Sequence, residues 1–440
     1  MTDATSQEPK PMLGKLGKAS TAYSAGILAT ANFASMVLRL LGGIIVARFI
    51  VPEELGTFNG ILLVVVYAGF LQAGVTNGLN RELPYLIGKG DRPRAEGLAA
   101  CSMAWALSCS GIAGAAALGW AAWQAVQGDW KMAWGWVAVT IALAGAFPRQ
   151  YLESTMRSGA EFVRLGVAHL LGGIAGFALL VLVWKLGFFG LGLRLMVVTV
   201  LELGILWRWR VLRVWPRLNK QELWHLLKIG LPIFVVSYTY SAWRSLDSAF
   251  IVNSLGRAQL GLYQIAVLTV SAGASVSLAL SQVVYPRMSQ RYGQTGDARA
   301  ALRIAYRPMA LLGILAIPAV VAGWFLLPPF VRWVLPKYVA GIPAARWALA
   351  TVYLLCFNSS LNIYNVIRKQ VVFACLIAAS AGAFLAAVPW RLAHETDPLV
   401  AYVQAMVVGT GVYVIAGNLV ALRLTRRRSP GVATVAAEKA

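Results

Sequence analysis

Residues 39–59 read RLLGGIIVARFIVPEELGTFN, and residues 244–264 read RSLDSAFIVNSLGRAQLGLYQ. Laid side by side, Arg39 meets Arg244, Leu55-Gly56 meets Leu260-Gly261, and Phe58-Asn59 meets Tyr263-Gln264. With the register advanced by one residue, Arg81 meets Arg287 and Gly90-Asp91 meets Gly296-Asp297. Short matches arise by chance in apolar sequence. These flank both ends of one helix hairpin, in one order, and predict an internal duplication.

The rest of the chain says what is duplicated. Of 440 residues, 59% are hydrophobic and 13% charged. Soluble domains are roughly 45–50% apolar and about 25% charged. Apolar runs near the ~20 residues that cross a bilayer fall at roughly 22–48, 56–79, 95–119, 132–151, 163–186, 188–208, 229–253, 260–284, 303–327, 343–365, 370–389 and 399–422. The fold class is therefore all-α: a polytopic membrane protein of about twelve transmembrane helices in two parallel six-helix repeats. An even number of helices per half makes both halves enter from one side. Transporters place substrate between such halves.

The formal net charge is +22. Its basic residues sit between the apolar runs rather than in one block, which speaks for anionic lipid heads and against nucleic acid. Most of them fall on the side of the N-terminus, so both termini are expected in the cytoplasm. The first apolar run is too long for a cleaved signal peptide. The expected organisation is a six-helix bundle over 1–214, an interfacial linker helix over 215–228, a second bundle over 229–428 and a disordered tail over 429–440. Cys101, Cys109, Cys356 and Cys375 lie within apolar segments and read as packing residues.

Several charged residues fall inside the runs. Arg39 lies roughly 13 Å inside its helix end, where an arginine costs at least ~2.5–3.5 kcal/mol. It should face a wet or charged interior, and Arg244 has the matching position in the seventh helix. Guanidinium binds phosphate oxygens two at a time, so both are expected to hold an anionic substrate. The other reading is a snorkelling or ion-paired arginine. Asp247, three residues after Arg244, and Glu202, inside the sixth helix, are candidates for charge tuning or for a coupling ion, H+ or Na+. His169 reads first as a packed, hydrogen-bonded histidine and second as a proton relay. Arg81, Arg287 and Arg291 are expected at a cytoplasmic entrance, with Arg149 read as another loop base. Asn358 and Asn362 are expected to meet sugar hydroxyls, against a plain role between helices. Pro232, Gly172, Gly173 and Gly176 suggest a kink and close helix contacts.

Two stretches carry a family resemblance. Ala47-Arg48-Phe49-Ile50-Val51-Pro52-Glu53-Glu54-Leu55-Gly56-Thr57-Phe58-Asn59 and Asn80-Arg81-Glu82-Leu83-Pro84-Tyr85-Leu86-Ile87-Gly88-Lys89-Gly90-Asp91 resemble the first hairpin of bacterial oligosaccharide flippases. Val284-Tyr285-Pro286-Arg287-Met288-Ser289 and Gly293-Gln294-Thr295-Gly296-Asp297 look like the matching loop of the second half. These are the Wzx-type polysaccharide transporters of the multidrug/oligosaccharidyl-lipid/polysaccharide exporter superfamily. The resemblance implies two bundles that open alternately to each side. It also implies flipping of undecaprenyl-pyrophosphate-linked oligosaccharide to the periplasmic leaflet of the inner membrane, for surface polysaccharide. Implied partners are the lipid-linked oligosaccharide, anionic lipids and polysaccharide polymerase or assembly proteins. The first helix lacks the acidic residue of the related multidrug exporters, which sets their cation antiport apart.

The alternative on the same scaffold is a multidrug or cation exporter. An enzyme is not expected. The outer loops are short, and no phosphate-binding G-x-x-x-x-G-K-[ST], zinc or nucleophile-elbow pattern is present. No cofactor or metal is expected beyond a coupling ion.

Overall fold

A computed structural model describes residues 18–426. The expected tail at 429–440 lies outside the described residues. The first half runs through α1 (Lys18–Phe49), α2 (Pro52–Ala68), α3 (Val75–Lys89), α4 (Arg92–Val126), α5 (Trp130–Ser158), α6 (Phe162–Ala178), α7 (Leu180–Leu186) and α8 (Phe188–Arg208). The second runs through α9 (Lys220–Arg244), α10 (Leu246–Ser254), α11 (Arg257–Thr295), α12 (Ala298–Val334), α13 (Ile342–Leu355), α14 (Ile363–Val366), α15 (Gln370–His394), α16 (Pro398–Gly411) and α17 (Gly417–Arg426). Short breaks interrupt some crossings, so these helices make twelve candidate membrane spans, six in each half, with no strand among the described residues. Twelve crossings return the chain to the side on which it began. That side is called the termini side below, and the other the far side.

The duplicated Gly-Asp turn does the same work twice. Gly90 and Gly296 end α3 and α11 in the left-handed conformation, at φ 80° and 64°. A side chain there would be strained. The aspartate that follows caps the next helix, Asp91 accepting from the Arg94 amide and Asp297 from the Arg299 amide. Each turn stops one long helix and starts another within two residues.

Several helices outrun the hydrocarbon. With 39 residues α11 is about 58 Å long at 1.5 Å per residue, against ~30 Å of lipid core. The fourth span extends to Ser158, not 151, because hydropathy marks the lipid-facing part of a helix and not its capped end. The segment expected as an interfacial helix over 215–228 differs too. Residues 210–219 are not helical, and α9 starts at Lys220, where the Asn219 side chain accepts from the Gln221 amide. From there α9 runs unbroken past Pro232 to Arg244, so residues 220–228 are its first turns. The linker keeps an interfacial character, with Trp215 and Leu218 exposed beside Arg213 and Arg217.

Each half has its own apolar core: Val75, Leu98, Leu143 and Leu165 in the first, Ile251, Tyr263, Phe384 and Val403 in the second. A third cluster joins the halves at the far side, where Ile50, Leu55 and Phe58 pack with Ile265, Val331 and Tyr338. Three donors fasten it. Arg48 donates to the Val334 carbonyl at 2.8 Å, Lys337 to Phe49 at 3.1 Å and Tyr338 to Ile50 at 3.1 Å.

The same closure brings α2 and α11 together at the duplicated glycines. A Cβ on Gly56 would overlap the Arg257 carbonyl, and one on Gly261 would overlap that of Pro52. The contact is reciprocal, as two parallel repeats require. Nearer the termini side the halves meet again along one flank, where Gly74, which caps α3, and Gly78 of α3 face Gly230 and Leu226 of α9.

Candidate functional site

Between the halves lie two adjoining cavities of about 410 and 500 Å³. The first is lined by Arg39 of α1, Arg149 of α5, and Arg194 and Glu202 of α8. Across it stand Asn59 of α2 and Gln264 of α11, the residues matched by the repeat. The second is lined by Arg39, Arg244 of α9, Tyr240 and Asn358, with serines of α11. Arg39 and Leu268 belong to both walls.

Glu202 organises the first cavity. Its side chain is 5% exposed and accepts from Arg149 at 2.6 Å and from Arg39 at 3.4 Å. The arginines are 39% and 57% exposed, so they face the open space while the carboxylate lies behind them. Gly172 makes room for it: a Cβ there would overlap the Glu202 carboxylate. Gly173 admits Ser35 of α1, and the Gly176 carbonyl accepts from Arg194 at 2.6 Å. The three glycines of α6 thus do more than let helices approach. They leave space for a buried acid and supply a carbonyl to a half-buried arginine.

Four guanidiniums facing one carboxylate give the lining an excess of positive charge. In low dielectric this attracts an anion, and each guanidinium offers a fork to phosphate oxygens. An organic cation meets repulsion from the same wall. A third space, about 560 Å³ and almost entirely apolar, shares Leu40 and Leu268 with the second cavity. Among its lining residues are Ile44, Val276 and Val320.

The expected residues sort as follows. Arg39, Arg244 and Asn358 come together on one wall, and Glu202 stands beside them in the other. Asn362 does not line either cavity, and its amide donates to the Ser359 carbonyl at 3.0 Å. Asp247 forms no ion pair with Arg244. It is buried, accepting from the Tyr263 hydroxyl and the Ser248 amide, in a smaller space of about 120 Å³ that Arg244 also lines. The seventh span breaks between them: α9 ends at Arg244 and a new helix starts at Leu246, so the two residues are not stacked on one continuous helix face. Arg81, Arg287 and Arg291 are exposed towards the termini side and make no ion pair among the described residues.

Two residues that line the first cavity were not expected there. Arg149, read as a loop base, lies well inside α5, and Arg194 of α8 is turned into the bundle. A signal for the first was available. Arg149, Glu153 and Arg157 recur every four residues, the spacing of one helix face, and Glu153 pairs with both arginines. Arg194 left no local signature.

The model of the family described as polysaccharide biosynthesis protein matches residues 45–338, more than half the chain. No curated protein matches. Among solved structures, a multidrug resistance MATE family transporter of the MOP superfamily in an inward-facing conformation has a TM-score of 0.73 at 16% identity, over 91% of this chain and 98% of that one. An outward-facing conformation of such a transporter gives 0.65 at 15% identity, over 96% and 100%. A MOP superfamily transporter from Pyrococcus furiosus Vc1 (DSM3638), whose binding pocket of reverse polarity suggests a different function, gives 0.58 at 16% identity, over 96% and 99%. At these identities the likeness is one of fold.

Proposed function

We infer the function from one premise: the chain belongs to the polysaccharide biosynthesis protein family, whose model it matches over residues 45–338. On the fold of MOP-superfamily transporters, it acts as a flippase for undecaprenyl-pyrophosphate-linked oligosaccharide. Arg39, Arg149, Arg194 and Arg244 receive the pyrophosphate, and Asn358 meets the first sugars. The polyprenyl tail stays in lipid. The halves rock about the central cavity, opening it to each side in turn.

The observation that carries this reading is the shared wall. Guanidiniums from both halves line adjoining cavities, with Arg39 common to the two. Glu202 holds Arg39 and Arg149 in place when no substrate is present, and a diphosphate competes for them. The same wall weighs against the cation exporter, because Glu202, the one carboxylate among the described residues lining the two cavities, is occupied by two arginines.

In this reading the termini side faces the cytoplasm of a bacterium, the chain lies in the inner membrane, and Arg81, Arg287 and Arg291 greet the anionic head and neighbouring lipid. Downstream partners are the polymerase and assembly proteins that consume a periplasmic lipid-linked sugar.

The test is a leaflet-access assay in liposomes with a fluorescent pyrophosphate-linked oligosaccharide lipid. Wild type translocates it, and well-folded Arg39→Ala does not. Translocation at the wild-type rate by Arg39→Ala and Arg244→Ala would defeat the reading. Export of organic cations in its place would favour the exporter.

A further inference from the structure

Behind the cavity, on the termini side, Arg149 leads into a second charged group. Its Nε lies 3.4 Å from Glu153, whose other partners are Arg157 at 3.5 Å and the His169 Nε2 at 3.3 Å. Glu153 and His169 are mostly buried, their side chains 13% and 19% exposed. On the other edge of the ring, Nδ1 is 2.7 Å from the Asn32 Oδ1 of α1.

The imidazole is thus held between two acceptors. A carboxylate oxygen cannot donate, and neither can an amide oxygen. A neutral ring has one N–H and can satisfy one of them. The second contact needs a further proton, on the ring or on the carboxyl.

Resting on the function proposed above, we propose that Glu153 and His169 form a proton site whose occupancy decides whether Arg149 is available to the anion in the cavity. A proton taken from water on the termini side adds to the ring, so that Nε2–H donates to Glu153 and Nδ1–H to Asn32. Glu153 is then held by two cations, His169 and Arg157, and Arg149 is left to Glu202 or to an arriving diphosphate. When the proton departs to water, the Nε2 lone pair faces the carboxylate. Glu153 falls back on Arg149 and draws it from the cavity wall. The charged groups linked to this cluster through Arg149 are Glu202 of α8 and, through Glu202, Arg39 of α1. They change the strength of the linkage but supply no second acceptor to the ring.

Proton and anion then assist each other, and the effect is reciprocal. Anion binding takes up about one proton, so affinity weakens about tenfold per pH unit where the site titrates.

Two measurements test this. The chain has three histidines, so ring nitrogen NMR of histidine-labelled protein resolves His169 from His225 and His394 by substitution, with no ligand needed. At pH 7 both His169 nitrogens should carry hydrogen in wild type, and one in Glu153→Gln. Calorimetry with inorganic pyrophosphate, in buffers of different ionisation enthalpy and at a pH raised until the same NMR signal shows a single hydrogen on the free ring, then counts protons. Uptake near one in wild type should vanish in His169→Gln and Glu153→Gln while pyrophosphate still binds, with matched melting curves. A ring with a single hydrogen in wild type at pH 7 overturns the proton site, since the Asn32 amide would then be turned to donate. Binding with no proton uptake, or with release, overturns the linkage. A doubly protonated ring in a protein that does not bind pyrophosphate supports the proton site and instead defeats the anionic cavity.

Discussion

In the first half, α5 and α8 carry Arg149, Glu153, Arg194 and Glu202 into the bundle. In the second half the spans with the same place in the order hold α13 and α16, which contain no acidic residue and a single base, Arg346. Their buried polar side chains are the uncharged Thr351, Gln404 and Thr410. Yet the scaffold is kept in detail: the Gly-Asp turn, its aspartate cap and the reciprocal glycine contact occur in both halves. Duplication has preserved what makes helices start, stop and touch. Ions inside a membrane bundle are costly, and these two pairs of matched spans differ in carrying them. The second half contributes Arg244 and a surface for Arg39 to face.

The contrast makes predictions of unequal size. Arg39→Ala removes the one arginine common to both cavities and should lower translocation about 100-fold in the liposome assay, as loss of charge-assisted hydrogen bonds allows. Arg244→Ala should cost about tenfold by the same assay. Equal losses would erase the contrast between the halves. Next comes Gly172→Ala, whose methyl displaces the Glu202 carboxylate. It should destabilise the protein by about 1–3 kcal/mol, as overpacking does, read as a lower melting temperature in detergent. Gly409→Ala in the second half meets the Ser380 carbonyl at 3.0 Å and the Phe384 Cβ at 3.2 Å, a tight contact without the overlap at Gly172, and should melt closer to wild type. Glu202→Gln should tighten pyrophosphate binding severalfold in calorimetry by freeing Arg39 and Arg149. The smallest effect is expected from Asp247→Asn, which keeps an acceptor for the Ser248 amide and should stay within about twofold in transport. Complete loss of transport in that variant would move ion coupling into the second half.

Much of this was legible in the sequence. The span at 188–208 has the ends expected of it, because Gly187 and the basic residues after Leu206 mark both of its limits. Arg39 and Arg244 could be placed on a shared interior because an arginine deep in an apolar run has few affordable surroundings. The partners of Glu202 could not. They lie on helices 53 and 163 residues away, and no local pattern encodes a tertiary ion pair. The break after Arg244 was hidden for a different reason. No glycine or proline marks Ser245, so a continuous helix was expected and Asp247 was put on the same face as Arg244. Arg149 fell inside the apolar run at 132–151 but was counted with the loop after it, because two residues from the end of a run reads as surface, while α5 continues for about two further turns.

The α2–α11 contact is made from atoms that every residue has. At Gly56 and Gly261 backbone rests on backbone, and what specifies the closure is matter left out. A survey that trims side chains to alanine would therefore read this seam backwards. At these two positions alanine is an insertion, a wedge driven into the far-side seam. The seam would stand out in a census of residues that tolerate no growth, and it would be invisible in a census of residues that tolerate no loss.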